Sequence, residues 1–413
     1  MKLLQLSNKI PFPPIDGGAI ATLNLAKGFA KLGHSTTILA MNTSKHFYDL
    51  KKLPESIKNL VEIIGIYVEA PITKTGAIKN LIFSKLPYSA ERFIDKNYEK
   101  KLIELLLNRN FDIIQLEGLY MVLYIPLIRK HSNAIIALRA HNIEHQIWER
   151  VAENEKNIFR KKYLLFLSKR IKNLKRSYLN QYDALIPITE QDAKFFEQFG
   201  NNKPVFVSQT GFDTSEIKIE ETNAEFPSFF HIGALDWAPN QEGLLWFFKN
   251  VWNKVLQNNK NLKFYIAGRN APDWLLKTIS LQKNIIYLGE VADAFEFMRS
   301  KSVMIVPLLS GSGMRIKIIE GMALGKTIIS TNIGTEGINS SHRENIFLAN
   351  SPEEFVETII ELSKDEVLCK KIGENASDFI QNHYDNINQS TKLIEFYKQI
   401  IDLQSDNNKN TDK

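Results

Sequence analysis

The residues best suited to chemistry lie in the stretch SGSGMRIKIIEGMALGKTIIS, Ser310 to Ser330. Arg315 and Lys317 follow a turn built on Gly311 and Gly313, and Glu320 follows them on an apolar helical pattern. The first N–H groups of a helix lack partners and carry partial positive charge. Two full cations at that end are disfavoured unless an anion compensates, and a diphosphate is suited to the task. A carboxylate at Glu320 could accept from the two hydroxyls of a ribose. The competing reading is a surface ion pair between Lys317 and Glu320, worth a few tenths of a kcal/mol, with Arg315 solvated.

Three more loops carry polar groups in suggestive places. PPIDGGAIAT puts Gly17 and Gly18 at a helix start, where backbone N–H groups can approach a phosphate or simply form a turn and cap. LRAHNIEHQIWE supplies Arg139, His141, Asn142, Glu144 and His145. His141 would project from a strand end, where an imidazole can donate a hydrogen bond or polarise a neighbour. His141 and His145 have the i,i+4 spacing of a metal pair, but no third ligand and no HExxH pattern accompany them, so no metal site is expected. STNIGTEGI places Glu336 between two glycines at another strand end, as a sugar-hydroxyl acceptor or a turn cap.

These loops need a scaffold that presents strand ends together. Apolar runs alternate with helical periodicity along most of the chain: KLLQL, HSTTILAM, LVEIIGIYVE, FDIIQLE, AIIALRAHN and DALIPIT, then SFFHIGALD, LKFYIAGR, NIIYLGEV, SVMIVPL and KTIIST. Repeated βαβ units predict mostly parallel sheets covered on both faces, with ligands at the carboxyl ends of the strands. The region Asn42–Lys96 is less regular, and one long charged helix is expected from about Glu144 to Tyr178. A polar, acidic connector near residues 206–228 divides the pattern into domains at 1–215 and 226–384. A helix at about 385–403 packs back on the first domain, and a polar tail is expected to be disordered.

A chain of 413 residues exceeds what one core usually supports. Its single cysteine, Cys369, excludes an internal disulfide framework and a cysteine-rich metal site. No apolar run is long enough to span a bilayer, and the N-terminus reads as a first strand rather than a signal peptide. A cytoplasmic protein is therefore expected. The net charge of +6 suits anionic ligands or an anionic membrane surface. The basic, aromatic stretch EKNIFRKKYLLFLSKRIKNLKRSYLN is either a solvated helix face or a peripheral contact with the inner face of the membrane. Acids are mixed too evenly through the chain for nucleic-acid binding.

Taken in order, FHIGALDWAPNQEGLLWF, FYIAGR, YLGEV and VPLLSGSGMRIKIIEGMALGKTIISTNIGTEGI resemble the retaining glycosyltransferases of the GT-B fold, family 4 (glycosyl transferases group 1). GGAIAT and RAHNIEH resemble the matching loops of that family's acceptor domain. The resemblance implies an α/β protein of two Rossmann-like domains, parallel sheets facing across a cleft, with the acceptor domain first and the nucleotide-sugar domain second. It implies metal-independent transfer of a hexosyl unit, with retention, from a nucleoside diphosphate sugar to a hydroxyl of a glycan or lipid-linked acceptor. The setting would be cell-surface polysaccharide or glycolipid synthesis. The sugar nucleotide is a co-substrate, and no separate cofactor is implied. Gly17 and Gly18 would form the phosphate-facing loop, and His141, with Asn142 beside it, would bond the reacting sugar. Arg315 and Lys317 would neutralise the leaving diphosphate near Gly313, Glu320 would hold the ribose, and Glu336 would lie near the donor end.

Two positions depart from the family. Ser312 stands where many members have the first of two glutamates, and GALDWAPNQEG lacks the usual arginine and lysine. A nucleotide-sugar epimerase of similar build and a non-catalytic nucleotide-sugar-binding subunit are the alternatives. SNKIPFPPIDGG, in place of GxGxxG, speaks against a nicotinamide dehydrogenase.

Overall fold

The computed structural model describes residues 1–14, 16–153, 155, 157–213, 224–311 and 314–411. Gly313 and Ser312 lie outside the described residues. The chain forms two compact units, Met1–Gly211 with Asn386–Lys413, and Phe212–Asp385.

The first unit is built on β1 (Lys2–Ser7), β2 (Ser35–Thr43), β3 (Glu62–Val68), β4 (Ile113–Glu117), β5 (Ile135–Ala140) and β6 (Ala184–Pro187). They form one parallel sheet ordered β3-β2-β1-β4-β5-β6. Successive side chains alternate between faces. Leu4, Leu6, Ile114, Leu116, Ile136 and Leu138 fill one side. Leu3, Ile113 and Ile135 fill the other, against Leu25 and Phe29 of helix Gly17–Lys31 and against Leu393, Ile394, Tyr397 and Ile400 of helix Asn386–Thr411. Towards the carboxyl ends this second face turns polar: Gln5, Gln115, Glu117 and Arg139 are all buried there.

The first and last helices of the chain pack so closely that a Cβ on Gly28 would come within 2.0 Å of Ser390 Oγ. Asn386 Nδ2 donates to the Asn24 carbonyl at 2.7 Å, and Asn24 Nδ2 donates to the Gly211 carbonyl at 3.0 Å. Both points where the chain leaves and re-enters this unit are thus tied to one helix.

The second unit contains β7 (Glu225–Ile232), β8 (Phe264–Ala267), β9 (Ile285–Gly289), β10 (Lys301–Val306), β11 (Thr327–Ser330) and β12 (Phe347–Leu348). Its parallel sheet runs β12-β11-β10-β7-β8-β9, the same topology as the first when counted from each unit's own first strand. In both sheets the order reverses beside that strand, between β1 and β4 and between β7 and β10. That reversal is where open α/β sheets bind ligands. Phe229, Phe247, Trp252, Phe264 and Phe355 form an aromatic core on one face. The ends of β7 and β8 approach closely, since a Cβ on Gly268 would meet the Gly233 carbonyl oxygen at 2.0 Å.

Two expectations change. The long charged helix is two, Glu144–Glu153 and Ile158–Tyr178. Asn157 restarts the second by accepting from Phe159 N at 3.0 Å and Arg160 N at 3.1 Å, and Ser168 Oγ ties the pair by donating to the His145 carbonyl at 3.0 Å. The last helix continues through the polar tail to Thr411.

Candidate functional site

In the second unit the site is assembled from the ends of β7 and β10. Helix Ile316–Ala323 begins only after Arg315. Arg315 is therefore the residue before the helix, with extended backbone, rather than part of its first turn. Lys317 does not pair with Glu320. Its ammonium turns inward, donating to Asn240 Oδ1 at 2.9 Å and to the Ile232 carbonyl at 3.2 Å, with His231 Nε2 3.5 Å away. His231 is fully buried in β7, and its Nδ1 donates to the Ile305 carbonyl of β10 at 2.9 Å. That bond leaves Nε2 as the acceptor facing Lys317.

Burial, and then the charge of Arg315, push the Lys317 ammonium down to about 7. Burial, and then the charge of Lys317, hold the His231 imidazole well below its usual value. Arg315 is 7% exposed, its guanidinium 5.4 Å from the centre of the Trp237 ring. Burial lowers its pKa while the charge of Glu336 opposes this, so Glu336 is electrostatically coupled to Arg315. Glu336 reaches this place through a turn in which Thr331 Oγ1 accepts from Gly334 N at 3.0 Å. Gly311 allows the approach: its φ is 120°, and a Cβ there would meet Arg315 Nη2 at 2.7 Å. Glu320, half-buried on the helix, is pushed up to about 6 by burial.

Two cations thus sit together, largely withdrawn from water, at the point of strand-order reversal. Such an arrangement is costly until an anion arrives. Sequence reasoning missed His231, Asn240 and Trp237. The signal for His231 was a polar residue inside the apolar run SFFHIG. Asn240 and Trp237 lie in the very stretch that lacks the family's arginine and lysine, at the start of helix Ala238–Phe247, where they serve as an acceptor for Lys317 and an aromatic face for Arg315.

The first unit brings His141 to Glu117 at the end of β4, with Nε2 and Oε2 2.7 Å apart. Thr22 Oγ1 donates to the same oxygen at 3.1 Å, Gln115 Nε2 donates to Oε1, and Arg139 Nη1 lies 3.9 Å away. Burial alone would raise the Glu117 carboxyl, but the hydrogen bond from His141 and the charge of Arg139 hold it below the usual range. An ionised Glu117 can only accept, so Nε2 of His141 carries a proton. Nδ1 is left without a hydrogen-bond partner among the described residues. It lies 3.8 Å from where a Gly18 Cβ would stand.

Gly17 opens helix Gly17–Lys31 with nothing within 4 Å of its missing Cβ. Asp16 caps that helix by accepting from Ala19 N at 3.0 Å, and Lys9 Nζ lies 2.5 Å from its carboxylate and 3.4 Å from where a Gly18 Cβ would stand. Asn142 is exposed next to His141.

The network continues away from the loop. Tyr397 of the last helix donates its hydroxyl to Gln115 Oε1 at 2.6 Å, which turns the Gln115 amide nitrogen towards Glu117. Nothing local in the sequence connects residues 282 positions apart. His145 does not join His141. It is buried 5.5 Å from the Phe195 ring, and burial with the charge of Lys175 pushes it down to about 4. Among the described residues no group of three His, Cys, Asp or Glu side chains is placed to hold a metal ion. No helix among them is long and apolar enough to cross a membrane.

Comparison with known proteins accords with this architecture. Residues 226–365 match the family described as glycosyl transferases group 1, and residues 15–216 match glycosyltransferase family 4. The two ranges together take in most of the chain. A curated relative, a 44.6 kDa protein in the cps region of Klebsiella pneumoniae, is 24% identical over 397 residues, covering 93% of this chain and 97% of its own. HepE from Anabaena, solved with UDP, superposes with a TM-score of 0.66 at 15% identity, covering 97% of this chain and 100% of the other. Its complex with UDP-glucose gives 0.64 at 14% identity, with 97% and 100% covered. Sucrose-phosphate synthase from Thermosynechococcus elongatus gives 0.67 at 13% identity, with 98% and 100% covered. The chain is a group 1 glycosyltransferase with the two Rossmann-like domains of the GT-B fold.

Proposed function

We propose that the enzyme transfers a hexosyl unit from a nucleoside diphosphate sugar to an acceptor hydroxyl, with retention as the family resemblance implies. The observation that carries this reading is the enclosed Lys317 ammonium beside buried Arg315. As the glycosidic bond breaks, the departing diphosphate gains negative charge. Cations already held in a desolvated place stabilise that state more than the ground state. In this reading the two side chains supply the positive charge, so transfer proceeds in the presence of a metal chelator. Glu320 accepts from the ribose hydroxyls, and Glu336 lies by the donor. The unpartnered Nδ1 of His141 bonds a hydroxyl of the transferred sugar, with Asn142 beside it and Gly17 and Gly18 leaving space for substrate.

The UDP and UDP-glucose complexes of HepE support a sugar nucleotide as donor, and the cps-region relative supports a role in polysaccharide assembly. Family membership favours transfer over the epimerase alternative. The test is a binding and turnover screen of UDP, GDP, ADP and TDP sugars with and without glycan acceptors. One donor should bind and be consumed only with an acceptor. Arg315→Ala should lower kcat/KM on the order of a hundredfold, the cost of one lost contact to developing charge. Donor binding without turnover on any acceptor would favour the non-catalytic subunit, and an Arg315→Ala variant with full activity would remove the phosphate role.

A further inference from the structure

The N-terminal unit carries apolar surface that its own fold leaves uncovered. On helix Lys74–Phe83, Ile78, Ile82 and Phe83 are 58%, 66% and 80% exposed. The helix is held with this face outward. Asn80 is buried and donates Nδ2 to the Leu86 carbonyl at 3.1 Å, while Arg170 donates to Asn80 Oδ1 at 2.9 Å and to the Leu81 carbonyl at 3.1 Å. Arg170 belongs to helix Ile158–Tyr178, which adds its own exposed aromatics, Phe159 and Phe166. That helix contains no Asp or Glu. Its Lys162 and Lys169 are exposed, as are Lys79 and Lys85 beside the other apolar set, and none of the four has an ion pair among the described residues.

We propose that these two clasped helices form a docking surface for a bilayer rich in anionic lipid. Apolar side chains ringed by unpaired lysines match the acyl boundary and the phosphate layer respectively. An apolar patch of this kind marks an interaction site rather than ordinary surface. A second copy of the chain fits less well, because a two-fold pairing sets a patch against itself and would bring the same lysines together. Nucleic acid would use the lysines but leave Ile82 and Phe83 in water. The inference is independent of the transfer reaction and does not need the donor to be known.

The experiment is co-sedimentation of the full chain with vesicles of phosphatidylglycerol and phosphatidylcholine, against vesicles of phosphatidylcholine alone, at low and high salt. Binding should require the anionic lipid and weaken with salt. A double Lys162→Glu, Lys169→Glu variant should bind about tenfold or more weakly. An Ile82→Ser, Phe83→Ser variant should do the same through lost insertion. All four positions are exposed, so circular dichroism and melting temperature should match the parent. Equal binding to both vesicle types, or binding untouched by either variant, would overturn the proposal. So would a concentration-dependent dimer in light scattering that the Phe83→Ser change abolishes.

Discussion

At the scale of single residues, Lys317 decides how the site responds to pH. Its folded-state pKa of about 7 lies below the ordinary lysine value, so the folded chain without ligand binds fewer protons than the unfolded chain between about 7 and 10.5. Burial of this amine therefore costs stability below that window, and the cost is relieved as pH rises through it. A bound diphosphate reverses the preference by favouring the ammonium. Nucleoside diphosphate binding should take up a proton on the alkaline side of pH 7, and affinity should fall as pH rises. Glu320 sets the acid limb: with a pKa of about 6, it loses its charge as pH drops, and with it the acceptor proposed for the ribose. Calorimetry in buffers of different ionisation enthalpy should show the uptake, and Lys317→Met should abolish it. Uptake that persists in that variant would assign the proton elsewhere.

At the scale of elements, the last helix reaches the candidate sugar-binding histidine through Tyr397, Gln115 and Glu117. Each link donates towards the carboxylate, so the Tyr397 hydroxyl sets the direction of the whole chain of bonds. Tyr397→Phe removes one hydrogen bond and keeps the ring. Turnover should fall roughly fivefold, matching about 1 kcal/mol, with donor KM unchanged. A matching rise in KM, or no kinetic change, would separate the helix from the histidine. The elements themselves were largely legible: among the described residues, apolar runs alternating with helical periodicity define eleven of the twelve strands, and the two-residue β12 is too short for a pattern to show. The loops at strand ends were legible as well, because glycines and charges punctuate them. The partners of Lys317 and His141 were not, because His231, Asn240, Glu117 and Tyr397 acquire their meaning only when distant strands and helices meet. Arg315 illustrates the limit from the other side. Local pattern puts it inside a helix, whereas close packing against Gly311 and Trp237 holds it just ahead of one.

At the scale of the molecule, the first unit is discontinuous in sequence. Residues before Gly211 make its sheet, but Leu393, Ile394, Tyr397 and Ile400 complete the core on one face, each no more than 4% exposed. At about 2 kcal/mol for each buried side chain, their loss approaches the entire net stability of a typical domain. A chain ending at Asp385 should therefore lose the melting transition of the first unit while keeping that of the second, which is continuous from Phe212 to Asp385. Calorimetry of the truncated chain would show one transition in place of two, and two intact transitions would mean that the final helix is dispensable. During synthesis on the ribosome the same arrangement sets an order of events. The half that is translated first must wait, incomplete, until the residues up to Ile400 have been made, while the half translated second is a single continuous stretch that can close without waiting for them.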